Sequence, residues 1–125
     1  MILVDSSIWM DHLRMADPQL TAALNTGRIL AHPFIIGEIA LGSLKNRQGV
    51  LRMLRRLPEA VLAKNHEVDT LIERVPLFSL GIGYVDAHLL TSVRLTAGAF
   101  LWTRDRRLHD IAMQMSIAWT PPHPH

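Results

Sequence analysis

The chain contains no cysteine, no long uncharged apolar run and no basic segment ahead of its first apolar residues. Without cysteine, disulfide bonds and thiolate metal sites are excluded, and nothing indicates an oxidising compartment. The missing basic segment argues against a secretory signal peptide. No stretch approaches the roughly 18 apolar residues that a membrane helix needs. We therefore expect a soluble, cytoplasmic protein that has no membrane partner.

Several motifs with a known chemistry are also missing. There is no G-x-x-x-x-G-K-[ST] phosphate loop, no G-x-G-x-x-G and no G-x-S-x-G. The histidines show no i,i+4 pair of the kind that binds zinc. His32 lies just before Pro33, so it has two open interpretations: it lines a functional site, or it has a structural role.

What remains is the composition of one compact domain. The chain has 125 residues, of which 49% are hydrophobic, and it shows no repeat, linker or low-complexity segment. A chain of this length can bury a proper core. We predict a single domain over residues 1–125, with 120–125 as a frayed tail. The net charge of +2 permits an anionic partner without requiring one.

Short apolar runs alternate with helical patterns along the chain. Ile2–Val4 has the character of a strand buried on both faces, and Asp5 follows it directly. Alternating strands and helices predict an α/β sandwich with a mainly parallel sheet. The predicted strands are 2–4, 28–31, 60–62, 99–102 and 117–119, and the predicted helices are 7–13, 18–26, 34–44, 47–57, 65–74, 84–96 and 105–115, the last of them capped by Thr103.

Four carboxylates occupy unexpected positions in this pattern. Asp5 and Asp105 follow predicted strands, Glu38 lies on an apolar helix face, and Asp86 begins the apolar stripe of its helix. Unpaired buried carboxylates are costly, and no lysine or arginine lies at helical spacing on these faces. A bound cation would remove that cost, and an all-oxygen ligand set favours Mg²⁺ or Mn²⁺. Taken singly, each acid also has a structural interpretation as a cap, a helix-start charge or a helix-edge residue.

These acids lie within motifs that resemble a known family. The motifs are Val4-Asp5-Ser6-Ser7, the single Glu38 on an apolar helix, Gly83-Tyr84-Val85-Asp86-Ala87-His88-Leu89-Leu90 and Thr103-Arg104-Asp105-Arg106-Arg107-Leu108. In this order they resemble PIN-domain ribonucleases, and more narrowly the VapC toxins of bacterial type II toxin–antitoxin systems. The resemblance covers essentially the whole chain. The lead-in to the acidic helix, residues 31–34, departs from the small polar residues that the family pattern would have there.

The resemblance implies a fold, an activity and a site. The fold would be a three-layer α/β/α sandwich with a mainly parallel central sheet. The activity would be Mg²⁺-dependent endoribonuclease cleavage by a metal-activated water. The catalytic metal ligands would be Asp5, Glu38, Asp86 and Asp105, with supporting hydroxyls from Ser7 and Thr103.

The resemblance also implies partners. A cognate antitoxin would cover the site, the substrate would be RNA, and the toxin would be a homodimer. Beside Asp105, Arg104, Arg106 and Arg107 are candidates to hold the RNA backbone. The apolar residues Ile8, Trp9 and Phe34 and the leucine-rich helix 50–57 also favour self-association, because they offer more apolar surface than a small core needs.

Two other functions stay open at this point. A metal-dependent phosphatase of the HAD type also has an aspartate after its first strand, but it needs a second aspartate two residues on, where this chain has Ser7. A catalytically weak PIN-like binding module would keep the fold and lose metal ligands, whereas here all four acids are present.

Overall fold

The computed structural model describes residues 1–122, so part of the predicted tail, residues 123–125, lies outside it. None of the described helices is long and apolar enough to cross a bilayer. In chain order the described elements are β1 (Ile2–Val4), α1 (Ser6–Arg14), α2 (Pro18–Asn25), β2 (Ile29–Leu30), α3 (Pro33–Ala40), α4 (Arg47–Arg56), α5 (Asn65–Arg74), α6 (Tyr84–Leu95), β3 (Phe100–Trp102) and α7 (Arg106–Gln114).

The three strands form one parallel sheet in the order β2-β1-β3. Ile2 pairs with Ile29 on one side and with Phe100 on the other, and Val4 pairs with Trp102. The first strand is therefore the central one. Since all three strands run the same way, their carboxyl ends meet at a single edge, which we call the carboxyl edge.

Two of the predicted strands are reduced to single bridges. Residues 60–62 do not form a strand, because only Glu59 pairs with Ala31. Ala60 N–H still donates to the Ala31 carbonyl at 2.9 Å, but Val61 N–H donates to the Thr96 hydroxyl at the end of α6, also at 2.9 Å. Residues 117–119 likewise contribute one bridge, between Ala118 and Leu101.

Helices cover the sheet and close the core. α1 packs against α3, α3 against α4 and α5 against α6, while α6 and α7 both contact β3. This is the expected α/β/α architecture. Ile8 and Trp9 are each only 1% exposed. They belong to the core, so the prediction that they provide surface for self-association is wrong, although Phe34 remains 41% exposed.

Local capping residues set where the helices begin and end. Asp17 Oδ1 accepts from Gln19 N–H at 2.8 Å, with Pro18 at the first helical position, as the sequence predicts. α3 ends at Ala40, four residues earlier than predicted, and Leu41 beyond it is 91% exposed.

Candidate metal centre

The fold brings the four predicted carboxylates to the carboxyl edge. Asp5 follows the central strand β1 and Asp105 follows its neighbour β3, while α3 and α6 carry Glu38 and Asp86. Their proximity has an electrostatic signature. The negative charge of Asp5 raises the pKa of both Glu38 and Asp86, and the charge of Asp105 raises that of Asp86.

Asp5 is the most enclosed of the four acids, with 8% of its surface exposed. It caps α1, and its Oδ1 accepts from Ser6 N–H at 2.8 Å. Its Oδ2 accepts from the Thr103 hydroxyl at 2.7 Å. These bonds fix the carboxylate between the two strand ends. Because each oxygen accepts only one of these bonds, each has capacity for a further partner.

Glu38 and Asp86 both have pKa values above the ordinary range of a carboxyl group. Partial burial is the largest cause for each, and the charge of Asp5 adds to it. The Ser6 hydroxyl opposes the shift at Glu38, and Gly83 N–H, which donates to Asp86 Oδ2 at 3.2 Å, opposes it at Asp86. Neutralising the negative charge of Glu38 or Asp86 is therefore energetically favourable.

Asp105, rather than Thr103, caps α7. Its Oδ1 accepts from Leu108 N–H at 3.0 Å, and the helix begins one residue later than predicted, at Arg106. The Thr103 hydroxyl has a different role. It donates to Asp5 and accepts from Asp105 N–H at 3.1 Å. Thr103 thus links the two acids that follow neighbouring strands.

The exposure of the acids differs from the sequence expectation. All four were expected to be buried, but only Asp5 is. Asp86 is half-buried, and Glu38 and Asp105 are exposed. The reason is geometric, because strand ends in open α/β sheets face outward and helical spacing does not say whether anything covers a helix face. None of the four acids forms an ion pair with a basic side chain in the described part of the chain.

Two curated relatives match the chain over nearly its whole length. Both are named Ribonuclease VapC32, from Mycobacterium tuberculosis strains CDC 1551 / Oshkosh and ATCC 25618 / H37Rv. Each is 45% identical over 118 residues, which cover 94% of this chain and 95% of the relative. The chain belongs to the VapC ribonuclease family. No family model matches it.

The donor set of this VapC-family chain fits a hard divalent cation. It consists of carboxylate oxygens without basic partners, and Ser7 Oγ is a further buried oxygen without a hydrogen-bond partner in the described residues. Within residues 1–122, no three acidic or histidine side chains are placed to contact one ion together. Mg²⁺ keeps several of its waters and often takes only one or two protein carboxylates. The donors therefore suit that ion without forming a closed cage.

The three arginines near the site of this VapC-family chain have different surroundings. Arg104 is directed at α1 and α2, where it forms ion pairs with Asp11 at 2.5 Å and with Asp17 at 4.0 Å. Arg107 lies against the loop before α6, because a Cβ atom on Gly81 would be only 2.5 Å from its Nη1. Arg106 is exposed. Two of the three arginines, Arg106 and Arg107, are thus not bound to α1 or α2.

The sequence left the role of His32 open, and the structure gives it a structural one. Its Nδ1 accepts from Phe34 N–H at 3.0 Å and caps α3. Burial, reinforced by the neighbouring His88, lowers the pKa of His32 to about 4, so the ring stays neutral and keeps this acceptor.

Sequence reasoning missed how the two acid-bearing helices α3 and α6 are joined. The rings of His32, Phe34, His88 and Tyr84 follow one another at centroid distances of 5.0, 5.1 and 4.9 Å, edge to face. The sequence spacing indicated one of these ring contacts, because His88 and Tyr84 lie four residues apart and therefore on one helix face. The contact between His88 and Phe34 of α3 could not be predicted from the sequence, because the two residues meet only in the fold.

Proposed function

We propose that this VapC-family chain is a Mg²⁺- or Mn²⁺-dependent endoribonuclease and the toxin of a toxin–antitoxin pair. The ion would be held by Asp5, Glu38, Asp86 and Asp105. When bound, it would supply an activated water and neutralise charge that develops on the scissile phosphate. The observation that supports the proposal is that these four carboxylates influence one another's charge at the carboxyl edge and that none of them forms an ion pair with a basic side chain in the described residues.

The chain's own residues would orient the reaction. Thr103 and Ser6 N–H hold the two oxygens of Asp5 in fixed directions. Asp105 is held by the start of α7, so its free oxygen keeps a constant position relative to Asp5. A phosphodiester would be repelled by four carboxylates alone. Arg106 and Arg107, on the first turn of α7, are placed to offset that repulsion by contacting the RNA backbone.

Family membership also supports the proposed partners. A cognate antitoxin would block the carboxyl edge, and the free toxin would be a cytoplasmic homodimer. Light scattering of the purified chain tests the second statement. A monomer at tens of micromolar would count against self-association.

The decisive experiment uses Asp5→Asn. Asparagine keeps the cap on α1 but removes the charge, so Mg²⁺-dependent RNA cleavage and toxicity on expression should both be lost. The variant should stay folded, and without metal it should be more stable, because repulsion on Glu38 and Asp86 is relieved. Asp110→Asn is the matched control, since Asp110 is an exposed residue of α7.

Two results would contradict the proposal. One is cleavage by Asp5→Asn at the wild-type rate in Mg²⁺. The other is wild-type cleavage that persists in EDTA. Unfolding of Asp5→Asn would instead identify Asp5 as a structural cap.

A second candidate is an RNA-binding module with weak or no catalysis. It is favoured by one observation, that no three acidic or histidine side chains in the described residues are arranged around a common point. The two candidates differ in metal affinity. The nuclease should bind Mn²⁺ in a calorimetric titration, with the heat lost in Asp86→Asn, whereas the binding module should bind RNA equally well in EDTA and in Mg²⁺.

A further inference from the structure

The two helices that carry Glu38 and Asp86 are supported by different parts of the core. α3 packs on α1 and α4, whereas α6 packs on α5 and β3. None of the ion pairs in residues 1–122 joins α3 to α6. Partial burial is the largest cause of the raised pKa of Glu38, and the charge of Asp86 contributes to it. The two carboxylates therefore lie within electrostatic range, and their separation depends on how α3 and α6 are placed relative to each other.

The ring of Phe34 bridges these two helices. Its centroid lies 5.0 Å from that of His32 and 5.1 Å from that of His88 on α6, with an edge-to-face arrangement at both contacts. Both histidines are buried. His32 Nδ1 also accepts from Phe34 N–H at 3.0 Å and caps α3, so the ring and the first turn of the helix are fixed together.

The α6 side of this contact is anchored as well. The Tyr84 ring lies 4.9 Å from the His88 ring, and the Tyr84 hydroxyl donates to Asp69 Oδ1 on α5 at 3.2 Å. An aromatic side chain is rigid and has only two torsion angles, so a contact between rings leaves little freedom in the distance between their backbones. We call the four rings of His32, Phe34, His88 and Tyr84 the ring chain.

The ring chain lies close in sequence to both acids. Phe34 precedes Glu38 by four residues and shares its face of α3, and His88 follows Asp86 by two residues on α6. A shift of the first turn of α3 against α6 would therefore move Glu38 relative to Asp86. His32 and Phe34 belong to residues 31–34, where the sequence departs from the pattern of the family it resembles.

We infer that Phe34 is a positioning residue, which sets the separation of Glu38 and Asp86 through the ring chain and thereby the affinity of the site for a divalent cation. This inference rests on the proposed function, in which both acids are metal ligands. Mg²⁺ demands near-ideal octahedral geometry, so displacing one carboxylate weakens its binding. In this role Phe34 acts through Glu38 and needs no contact with the ion or the RNA.

The first test measures the placement of α3 against α6 without metal or RNA. The chain has no cysteine, so Leu41→Cys and Arg94→Cys together give two unique sites for nitroxide labels. Leu41 follows α3 and is 91% exposed, and Arg94 is exposed in the last turn of α6. Electron–electron double resonance then gives the distribution of distances between the labels.

Three substitutions are compared in the labelled protein. Phe34→Leu keeps an apolar side chain and removes the ring, so the distribution should broaden or shift. Phe34→Tyr retains the ring and should restore the wild-type distribution. Phe100→Leu is the matched control, because Phe100 is 39% exposed, close to the 41% of Phe34, and lies at the amino end of β3.

The second test measures metal affinity and catalysis in the unlabelled variants. Phe34→Leu should bind Mn²⁺ about tenfold more weakly in a calorimetric titration, as expected when a metal ligand loses its support. Its kcat for RNA cleavage should fall while its KM for RNA stays the same, because no RNA contact is removed. Phe34→Tyr and Phe100→Leu should match the wild type in all three quantities.

Four results would overturn the inference. An unchanged label distribution in Phe34→Leu overturns it alone, because that measurement involves neither metal nor RNA. A changed distribution with unchanged Mn²⁺ affinity also overturns it. A lower urea midpoint with wild-type Mn²⁺ affinity in the folded variant would assign Phe34 a purely structural role. Absence of Mn²⁺ binding by the wild type would refute the proposed function and the inference with it.

Discussion

Thr103 is the residue through which the two strand-end acids are connected. Its hydroxyl donates its one hydrogen to Asp5 and accepts from the backbone of Asp105, and the residue is 7% exposed. A serine or threonine hydroxyl can do both at once, and no apolar side chain can. Its role at the site is therefore positioning, because it acts through Asp5 and Asp105.

We predict that Thr103→Val lowers RNA cleavage about 10- to 100-fold, the usual cost of losing an outer-shell partner. The variant should also unfold at lower denaturant, because a buried acceptor and a backbone donor lose a partner, at about 1–3 kcal/mol. Thr103→Ser restores the hydroxyl and should recover most of the activity. Cleavage rates and urea midpoints of the three proteins check this, and wild-type cleavage by Thr103→Val would contradict it.

At the scale of elements, each acid lies either at the start of a helix or on a helix that packs on the core. The sequence predicts the positions of the helices and strands well where the determining residues are neighbours in the chain. Ile2–Val4, the Asp17-Pro18 helix start and α5 at Asn65–Arg74 lie where their residues indicate. The prediction of a strand at 60–62 fails because the partner is distant in sequence: Val61 N–H donates to the Thr96 hydroxyl of another element.

The start of α3 depends on a neutral histidine. His32 has a pKa of about 4 in the fold against an ordinary 6.5, so below pH 6.5 the unfolded chain takes up a proton that the folded chain does not. Stability should therefore be full above pH 6.5 and fall as pH drops towards 4. His32→Asn keeps a capping acceptor and removes the titration.

Urea midpoints at pH 7.5 and pH 5.0 measure this difference. The wild type should lose more stability between the two than His32→Asn does. His66→Asn is the control, because His66 is an exposed residue of α5, and it should behave like the wild type. Identical pH dependence in the wild type and His32→Asn would show that the cap does not govern it.

The segment from β3 into α7 carries three arginines that the sequence treats alike. The structure separates them, because Arg104 forms ion pairs with Asp11 and Asp17 across elements. Arg104→Ala should cost about 1 kcal/mol or less in stability and leave RNA affinity nearly unchanged. The Arg106→Ala, Arg107→Ala double variant should bind RNA more weakly and with a flatter salt dependence.

RNA binding across a salt series tests these arginine variants, with the double variant Arg55→Ala, Arg56→Ala on α4 as a control of equal charge loss. Arg55 and Arg56 are both exposed. Equal losses from the two double variants would show that only total charge matters.

At the scale of the molecule, the site depends on contacts between the two ends of the chain. The sequence predicts a parallel sheet and places four acids at strand ends or on helices, and the structure agrees. It overestimated the burial of Glu38 and Asp105, because helical spacing identifies a face but does not say whether anything covers that face. Arg104 pairing with Asp11 was equally hidden, since those residues meet only in the fold.

We predict that a fragment of residues 1–98 does not fold. It retains Asp5, Glu38 and Asp86 but lacks β3 and α7, and so loses one neighbour of the central strand together with Leu101, Trp102 and Leu108 of the core. Circular dichroism with urea should show no cooperative transition for this fragment. A fragment of residues 1–119 should unfold cooperatively like the whole chain, and cooperative unfolding of 1–98 would contradict the prediction.

The central position of β1 determines when the site can form during synthesis. The first strand leaves the ribosome early, yet its partner β3 begins at Phe100. At roughly 5–20 residues per second, several seconds separate the two. During that interval the edge that gathers Asp5 and Asp105 does not exist, so a nascent chain carries no complete site. The site can form only after β3 and α7 have also emerged and β3 has paired with β1.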